Sequence, residues 1–375
     1  MKIGIVCYPT FGGSGVIATE LGKALANEGH HIHFITYQLP VRLNTFSENI
    51  FFHDVSLENY PLFDYPPYET VLASKIVDVV RSENLDILHV HYAIPHASAA
   101  LMAKQILQTF NIQIPIITTL HGTDITLVGK DKSYEPVVTY SINNSDGVSA
   151  VSKSLRDETL QHFNIKKEIE VIPNFVDFNR FKKNNKDHFK QVLAPNGEKI
   201  LIHASNFRKV KRINDVIQVF AKIHQQIPAK LLMVGDGPER KNAENLCASL
   251  NVCNDVRFLG RQDAMEEILA ICDVFIMPSE KESFGLAALE AMACEVPVIS
   301  TNVGGLPEIV LHNINGGTFN VGDIEGMADF GIQLLKDVEQ LNRFKNAAFQ
   351  TAKLYDIKNI LPMYESLYQK VLFKS

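Results

Sequence analysis

Short apolar runs that end in glycine or a small polar residue, then give way to helical periodicity, recur through both halves of the chain. This repeated strand–turn–helix alternation is what most restricts its fold. Residues 2–7, 32–36, 87–91 and 114–120 are such runs in the first half, with shorter ones near 51–53 and 170–172. Residues 200–204, 231–234, 256–260, 274–277 and 298–300 continue the pattern in the second. The runs are apolar throughout rather than alternating, as strands are when helices cover both faces of a parallel sheet. Residues 178–198 are polar and lysine-rich. The expectation is an α/β chain of two Rossmann-like domains facing a cleft, 1–177 and 199–354, joined by a linker at 178–198. A helical pattern with Ile360, Leu361, Tyr364, Leu367, Tyr368 and Leu372 as its apolar face closes the chain at 355–375. A length of 375 residues exceeds one ordinary core and agrees with two.

A net charge of −6 gives no general electrostatic case for nucleic acid. No segment approaches the ~18 consecutive apolar residues of a membrane span, and the amino terminus reads as a strand rather than a signal peptide. A soluble, cytoplasmic protein without stable membrane association is expected. Cys7, Cys247, Cys253, Cys272 and Cys294 contain no Cys-x-x-Cys pair, so neither a disulfide framework nor a zinc site is expected. A homo-oligomer stays open.

The most informative stretch is 281–293, Lys-Glu-Ser-Phe-Gly-Leu-Ala-Ala-Leu-Glu-Ala-Met-Ala, which follows the apolar run 274–277. Ser283 is a candidate N-cap. On a helix Glu282 and Glu290 would stand about 12 Å apart. Between them the amides of Phe284, Gly285 and Leu286 would be first-turn donors without intrahelical partners, suited to phosphate. Two carboxylates flanking a diphosphate site fit a ligand with a sugar on each side, a nucleotide-sugar. The bland alternative is a pair of solvated helix charges. A second basic element, the loop 205–212, carries Arg208, Lys209, Lys211 and Arg212, which could neutralise the diphosphate; a solvated positive face fits Lys209 and Arg212 better than Lys211.

In the first half, Gly13-Ser14-Gly15-Val16-Ile17-Ala18 matches the dinucleotide fingerprint G-x-G-x-x-A within a glycine-rich loop over residues 8–15. A nicotinamide oxidoreductase is the reading it suggests. Against that, the loop is long and the second strand ends in Thr36-Tyr37, where an acidic residue should meet the ribose. What remains is a loop whose Gly13, Ser14 and Gly15 amides could reach an anion, or a turn needing glycine only for its backbone. His89, His91 and His96 invite a metal reading, with His89 and His91 on one strand face. No third close ligand completes a set, and no metal is assigned. His121 ends the next run, where it could present its ring to a ligand while Thr123 or Asp124 caps the following helix.

Glu-x7-Glu around Ser-Phe-Gly-Leu, Gly-Asp-Gly-Pro at 235–238 and Phe-Leu-Gly at 258–260 resemble the retaining family-4 glycosyltransferases of the GT-B fold. So do the glycine loop at 12–15, His121 and the basic loop. The resemblance spans nearly the whole chain. It implies a C-terminal helix crossing back to the first domain, an acceptor-binding first domain and a nucleotide-sugar-binding second. It further implies that Lys211, aided by Arg208, binds the diphosphate, Glu290 the ribose and Glu282 the donor sugar, with His121 beside that sugar. The backbone near Arg261 and Gln262 would meet the base, and Gly235, Ser283, Phe284, Gly285 and Leu286 would line the nucleotide-sugar. One departure is Asn206, where the family usually has arginine.

Within the family, Cys-Tyr-Pro-Thr-Phe-Gly-Gly-Ser-Gly at 7–15, His-Val-His-Tyr-Ala-Ile-Pro-His at 89–96 and Ser-Asn-Phe-Arg-Lys-Val-Lys-Arg at 205–212 are similar to a bacillithiol-pathway subgroup. This implies UDP-N-acetylglucosamine as donor and L-malate as acceptor, with retention at the anomeric carbon. Ser14, Tyr92, Thr119 and Lys153 are the acceptor candidates. The sequence has no Asp-x-Asp, so cations and amides rather than a chelated metal would stabilise the leaving diphosphate, and no cofactor is expected. Still open are another small-molecule, glycan or lipid acceptor and a GT-B nucleotide-sugar epimerase, whereas a noncatalytic nucleotide-sugar-binding protein would lose Lys211 or Glu282, and both are present. The aromatics at 60–68 keep the lipid reading alive.

Overall fold

A computed structural model describes residues 1–43, 47–56, 67–127, 129, 131–183 and 187–373. The chain forms two compact units: Met1–Asn174 with Ile357–Ser375, and Phe175–Asp356.

In the first unit the apolar runs become β1 (Lys2–Val6), β2 (His31–Thr36), β3 (Ile50–Asp54), β4 (Ile87–His91), β5 (Ile116–Leu120), β6 (Gly147–Ala150) and β7 (Glu170–Val171). All pair in parallel, in the order β3-β2-β1-β4-β5-β6-β7. β4 and β5 are buried along their whole length, as strands covered on both faces must be. The second unit contains β8 (Lys199–Ala204), β9 (Ala229–Val234), β10 (Val256–Gly260), β11 (Val274–Met277), β12 (Val298–Thr301) and β13 (Gly316–Phe319). Its parallel order is β10-β9-β8-β11-β12-β13. Each sheet reverses its winding once, between β1 and β4 in one and between β8 and β11 in the other. Open α/β sheets bind ligands beyond the carboxyl ends of the strands at such a reversal. The glycine motif follows β1, the basic loop follows β8 and the 281–293 stretch follows β11, so the motifs sit at the two reversals.

The last helix, Ile357–Leu372, belongs to the first unit. It buries Ile360, Leu361, Tyr364, Leu367, Tyr368 and Val371. At roughly 1.5–3 kcal/mol for each large apolar side chain, that is on the order of 10 kcal/mol, comparable to the whole stability of a domain. Tyr368 reaches the β4 core, where its hydroxyl meets His89 Nδ1 at 2.8 Å. Lys370 bonds Glu168 and Glu170 beside β7.

Three details differ from the sequence reading. The glycine segment is shorter as a loop, because the helix begins at Gly13 with Gly12 as its N-cap, and Val16 N–H already donates to Gly12 O at 3.1 Å. The stretch read as linker holds the helix Asp187–Leu193, with Phe181 and Ala194 buried beside it, so part of it packs rather than spans. Leu372, read as part of the apolar face of the last helix, is only half-buried, and Val371 takes the core position. The aromatics Tyr60, Phe63 and Tyr65 lie outside the described residues. Among the described residues no helix is long and apolar enough to cross a membrane.

Candidate functional site

At the reversal of the second sheet, the chain leaves β8 through Ser205 and turns in a short 3-10 segment, Lys209–Lys211. The start of this loop is fixed from beneath. His203 is fully buried, and its Nδ1 lies 2.8 Å from the Ile276 carbonyl, which can only accept, so Nδ1 carries the proton. Its Nε2 therefore accepts from the Ser205 hydroxyl at 2.8 Å. Burial lowers the His203 pKa to about 4, which keeps this arrangement neutral. Gly235 (φ +116°) closes the other side, since a Cβ there would lie 1.8 Å from Ser205 O.

The loop's far end is tied to the segment after β11, where Glu280 N–H donates to Val210 O at 2.8 Å. That register places the Lys211 ammonium against the Glu282 carboxylate, which also accepts from the Ser279 hydroxyl at 3.0 Å. The side chains are 19% and 11% exposed, so either charge would be left sheltered and unpaired if the other were removed. Arg212 is occupied otherwise: it bonds Asp215 at 2.5 Å and Glu280 at 2.9 Å, and these carboxylates raise its pKa. It is a structural cation. Arg208, Lys209 and Asn206 are exposed along the rim.

Glu282 is held by backbone as well as by Lys211. Gly304 (φ +55°) passes so close that a Cβ would lie 1.8 Å from Glu282 O, and that oxygen accepts from Gly305 N–H at 3.0 Å. Only glycine permits this approach at this backbone angle. Sequence reasoning missed both residues, although Gly304-Gly305 at the end of β12 was a visible signal.

The helix after β11 starts later than expected. It runs Leu286–Ala293, capped by Gly285 in the left-handed region (φ 96°), so Ser283 is not the N-cap. Leu289 N–H makes the first helical bond, to Gly285 O at 3.1 Å, leaving the Leu286, Ala287 and Ala288 amides as the first-turn donors. Phe284 is instead an anchor, buried and edge-on to Tyr355 with ring centroids 5.7 Å apart. Because Glu282 precedes the helix, the 12 Å helical spacing to Glu290 does not apply. Glu290 is 6% exposed, within the helix. Arg261 and Gln262 are exposed after β10, with Gln262 Nε2 donating to Leu259 O at 2.6 Å.

The first unit gathers its own candidates where β1, β4 and β5 end. Gly13 and Gly12 are exposed, whereas Gly15 is buried against the loop: a Cβ there would lie 2.5 Å from Tyr8 O and 2.4 Å from Thr10 O. Ser14, in the helix's first turn, accepts from the Tyr92 hydroxyl at 2.8 Å. The Tyr92 ring lies 5.3 Å from the ring of His121, and His121 Nε2 meets His91 Nδ1 at 2.8 Å. His89 stacks on His91 at 4.5 Å, and its Nε2 meets Thr119 Oγ1 at 2.7 Å. Thr119 also bonds Ser149 at 2.7 Å and is fully buried, so its hydroxyl is committed to the interior rather than offered to an acceptor. Lys153 is exposed as the first residue of the helix Lys153–His162.

The histidines therefore form a buried stack, not a ligand set. Burial lowers His89 to about 3, and burial first, then neighbouring histidines, lower His121 to about 3 and His91 well below its ordinary value. His96, which donates from Nδ1 to His91 O, falls to about 4 through burial. At neutral pH all are uncharged. Asp124, read as a cap, is a clamp: one oxygen accepts from Ala93 N–H at 2.9 Å and the other from Gly122 N–H at 3.0 Å, joining the turns after β4 and β5. Burial raises its pKa to about 6.

Residues 11–180 match the family model for Glycosyltransferase Family 4, and residues 184–351 match that for glycosyl transferases group 1. An N-acetyl-alpha-D-glucosaminyl L-malate synthase of Bacillus anthracis is 50% identical over 374 residues, covering 99% of this chain and 97% of that protein. An uncharacterized glycosyltransferase of Methanocaldococcus jannaschii is 29% identical, covering 95% of this chain and 98% of that one. Two solved structures share the fold. Sucrose-phosphate synthase from Thermosynechococcus elongatus has a TM-score of 0.82 at 22% identity, over 100% of both chains. Anabaena HepE in complex with UDP and glucose has a TM-score of 0.82 at 20% identity, over 98% of both.

Proposed function

The chain belongs to the family-4 glycosyltransferases of the GT-B fold, and from that premise we propose that it moves N-acetylglucosamine from UDP-N-acetylglucosamine to the hydroxyl of L-malate. The anomeric configuration would be retained, and the reaction would be the first step of bacillithiol biosynthesis, in the cytoplasm. The substrates follow from the Bacillus anthracis relative, which is similar from end to end. The observation that carries the chemistry is the sheltered Lys211–Glu282 pair at the reversal of the second sheet, next to open helix amides.

Breaking the bond between the anomeric carbon and phosphate puts negative charge on departing UDP, and stabilising that charge is the main catalytic need. Lys211 is the sheltered cation for it, with Arg208 on the rim and the Leu286, Ala287 and Ala288 amides as fixed donors. Glu282 then takes hydroxyls of the transferred sugar, and Glu290 those of the ribose. Gly235 and the backbone near Arg261 and Gln262 complete the nucleotide site. Donor recognition is thus assigned to the second unit. Acceptor recognition is assigned to the first, through Ser14 and Tyr92, with the Gly13 to Gly15 segment at a helix start suited to an anion.

Retention without an enzymic nucleophile is served by attack from the face of the leaving group, the departing phosphate oxygen taking the malate hydroxyl proton. For His121 the proposed role is orientation of the transferred sugar. A ring held neutral by burial suits positioning and not proton donation. Because the sequence lacks an Asp-x-Asp chelating pair, transfer should not need a divalent metal.

The test is UDP release from UDP-N-acetylglucosamine with and without L-malate, in EDTA. Malate-dependent release that survives chelation is expected. Turnover only with another hydroxylated acceptor would keep the family and discard the acceptor. Epimerisation of the sugar without transfer would replace the reaction altogether.

A further inference from the structure

The outer strands of the first sheet carry a second cluster, separate from the strand ends described above. His33 lies in β2 and His53 in β3, and Glu83 is the last residue of the helix Tyr68–Glu83. In the β2–β3 register His33 stands opposite Phe51 and Ile35 opposite His53, so His33, Phe51 and His53 share one face. Phe51 stacks on His33 with centroids 4.7 Å apart, and the two imidazoles stack at 5.2 Å, both at 17°. His33 Nδ1 and His53 Nε2 are 3.0 Å apart, and one donor atom from each of His33, His53 and Glu83 lies within 4.8 Å of the other two. Among the described residues it is the one group of histidine, cysteine and carboxylate donors with this closeness.

We infer that His33 Nδ1, His53 Nε2 and the Glu83 carboxylate form a binding site for a divalent transition metal of the zinc type. Two imidazoles and one carboxylate are a donor set that suits zinc, with a fourth position left to water. Donors on a tetrahedral zinc, with bonds of ~2.0–2.1 Å, stand roughly 3.3 Å apart, so the histidine pair needs only a small opening. The closing turn of a helix is the negative end of its dipole and favours a cation. His33 is 1% exposed, while His53 and Glu83 are half-buried, giving a pre-set inner ligand and an open approach.

Two features limit the affinity. Lys2 already donates to the Glu83 carbonyl at 2.7 Å, and Lys75 lies within electrostatic range of His53. His33 Nε2 has no hydrogen-bond partner among the described residues, so the metal-bound ring lacks the outer acceptor that ordinarily contributes 10–100-fold. The site is therefore an exchangeable one, with a dissociation constant on the order of micromolar, that pins β2, β3 and the helix end together.

The experiment is a Co2+ titration, read by visible absorption with Zn2+ competition, on tag-free, EDTA-stripped full-length protein. A Cys253→Ser background removes the exposed thiol. Saturation at one equivalent is expected, with a rise in Tm, and His53→Ala or Glu83→Gln should weaken binding at least tenfold. Both variants should keep the far-UV circular dichroism and UDP release of the parent, which separates this site from the transferase chemistry. Absence of saturable binding, or equal binding in both variants, would overturn the assignment.

Discussion

Gly304→Ala isolates the positioning of Glu282 from its chemistry. The new methyl carbon would start 1.8 Å from Glu282 O and 2.9 Å from Glu282 C, both backbone atoms that no side-chain rotation can clear. Relief requires the Glu282 backbone to retreat until the contact reaches at least 3.0 Å, and the Gly305 N–H bond to that oxygen is lost with it. The left-handed angle adds ~1 kcal/mol for a non-glycine residue, and the lost bond about 0.5–1.5 kcal/mol, so stability should fall by roughly 1.5–2.5 kcal/mol. A displacement near 1 Å at the reacting groups costs ~100-fold in rate, and kcat/KM for UDP release should fall by about that factor. Gly197→Ala is the control: Gly197 also has positive φ (+80°), yet nothing lies within 4 Å of its Cβ position. It should lose only ~1 kcal/mol of stability and keep full turnover. If Gly304→Ala kept kcat/KM within about threefold of the parent, or if Gly197→Ala lost as much activity, the account of how Glu282 is held would be wrong.

Lys211→Met removes the sheltered cation and should lower kcat by about 100–1,000-fold, with circular dichroism unchanged, as measured by UDP release at saturating donor. Tyr368→Phe leaves His89 Nδ1 buried without its hydroxyl partner; urea unfolding should show a loss of about 1–3 kcal/mol, while kcat stays within twofold. Acid should unfold the first unit before the second. His89 and His121 (about 3), His96 (about 4) and His91 are held below their ordinary values in the first unit, against His203 (about 4) in the second. Below pH ~6.5 the unfolded chain binds protons that these folded sites refuse, so each costs about 1.4 kcal/mol per pH unit until its folded pKa is reached. Hydrogen exchange between pH 7 and pH 5 should show residues 87–121 losing protection ahead of residues 200–301; the reverse order would contradict the burial argument.

The strands were legible because uniform apolar runs can be read locally. β1, β2, β4, β5 and β8 through β12 fall where those runs fall. Lys211 and Glu282 were legible one at a time, as a cation in a basic loop and a carboxylate before a helix. Their direct pairing was not, since it depends on the bond between Glu280 and Val210 across two strands. Ser283 resembled an N-cap by residue type, but the turn closes through Gly285 at φ 96°, an angle no propensity for serine announces. The histidine stack was out of reach for a similar reason. His91 meets His121 and His89 meets Tyr368 across long separations in sequence, and only the sheet order brings them together.

The first unit leaves the chain at Asn174 and resumes at Ile357. During synthesis, which ordinarily lets amino-terminal domains fold first, this arrangement inverts the order. The second unit, Phe175–Asp356, can close its core while the first still lacks Tyr364, Leu367 and Tyr368. A nascent chain halted between residues 175 and 356 would therefore present β6 and His89 without the helix that covers them. Residues 1–174 precede the second unit in the chain, yet their core is completed only by the helix that follows it.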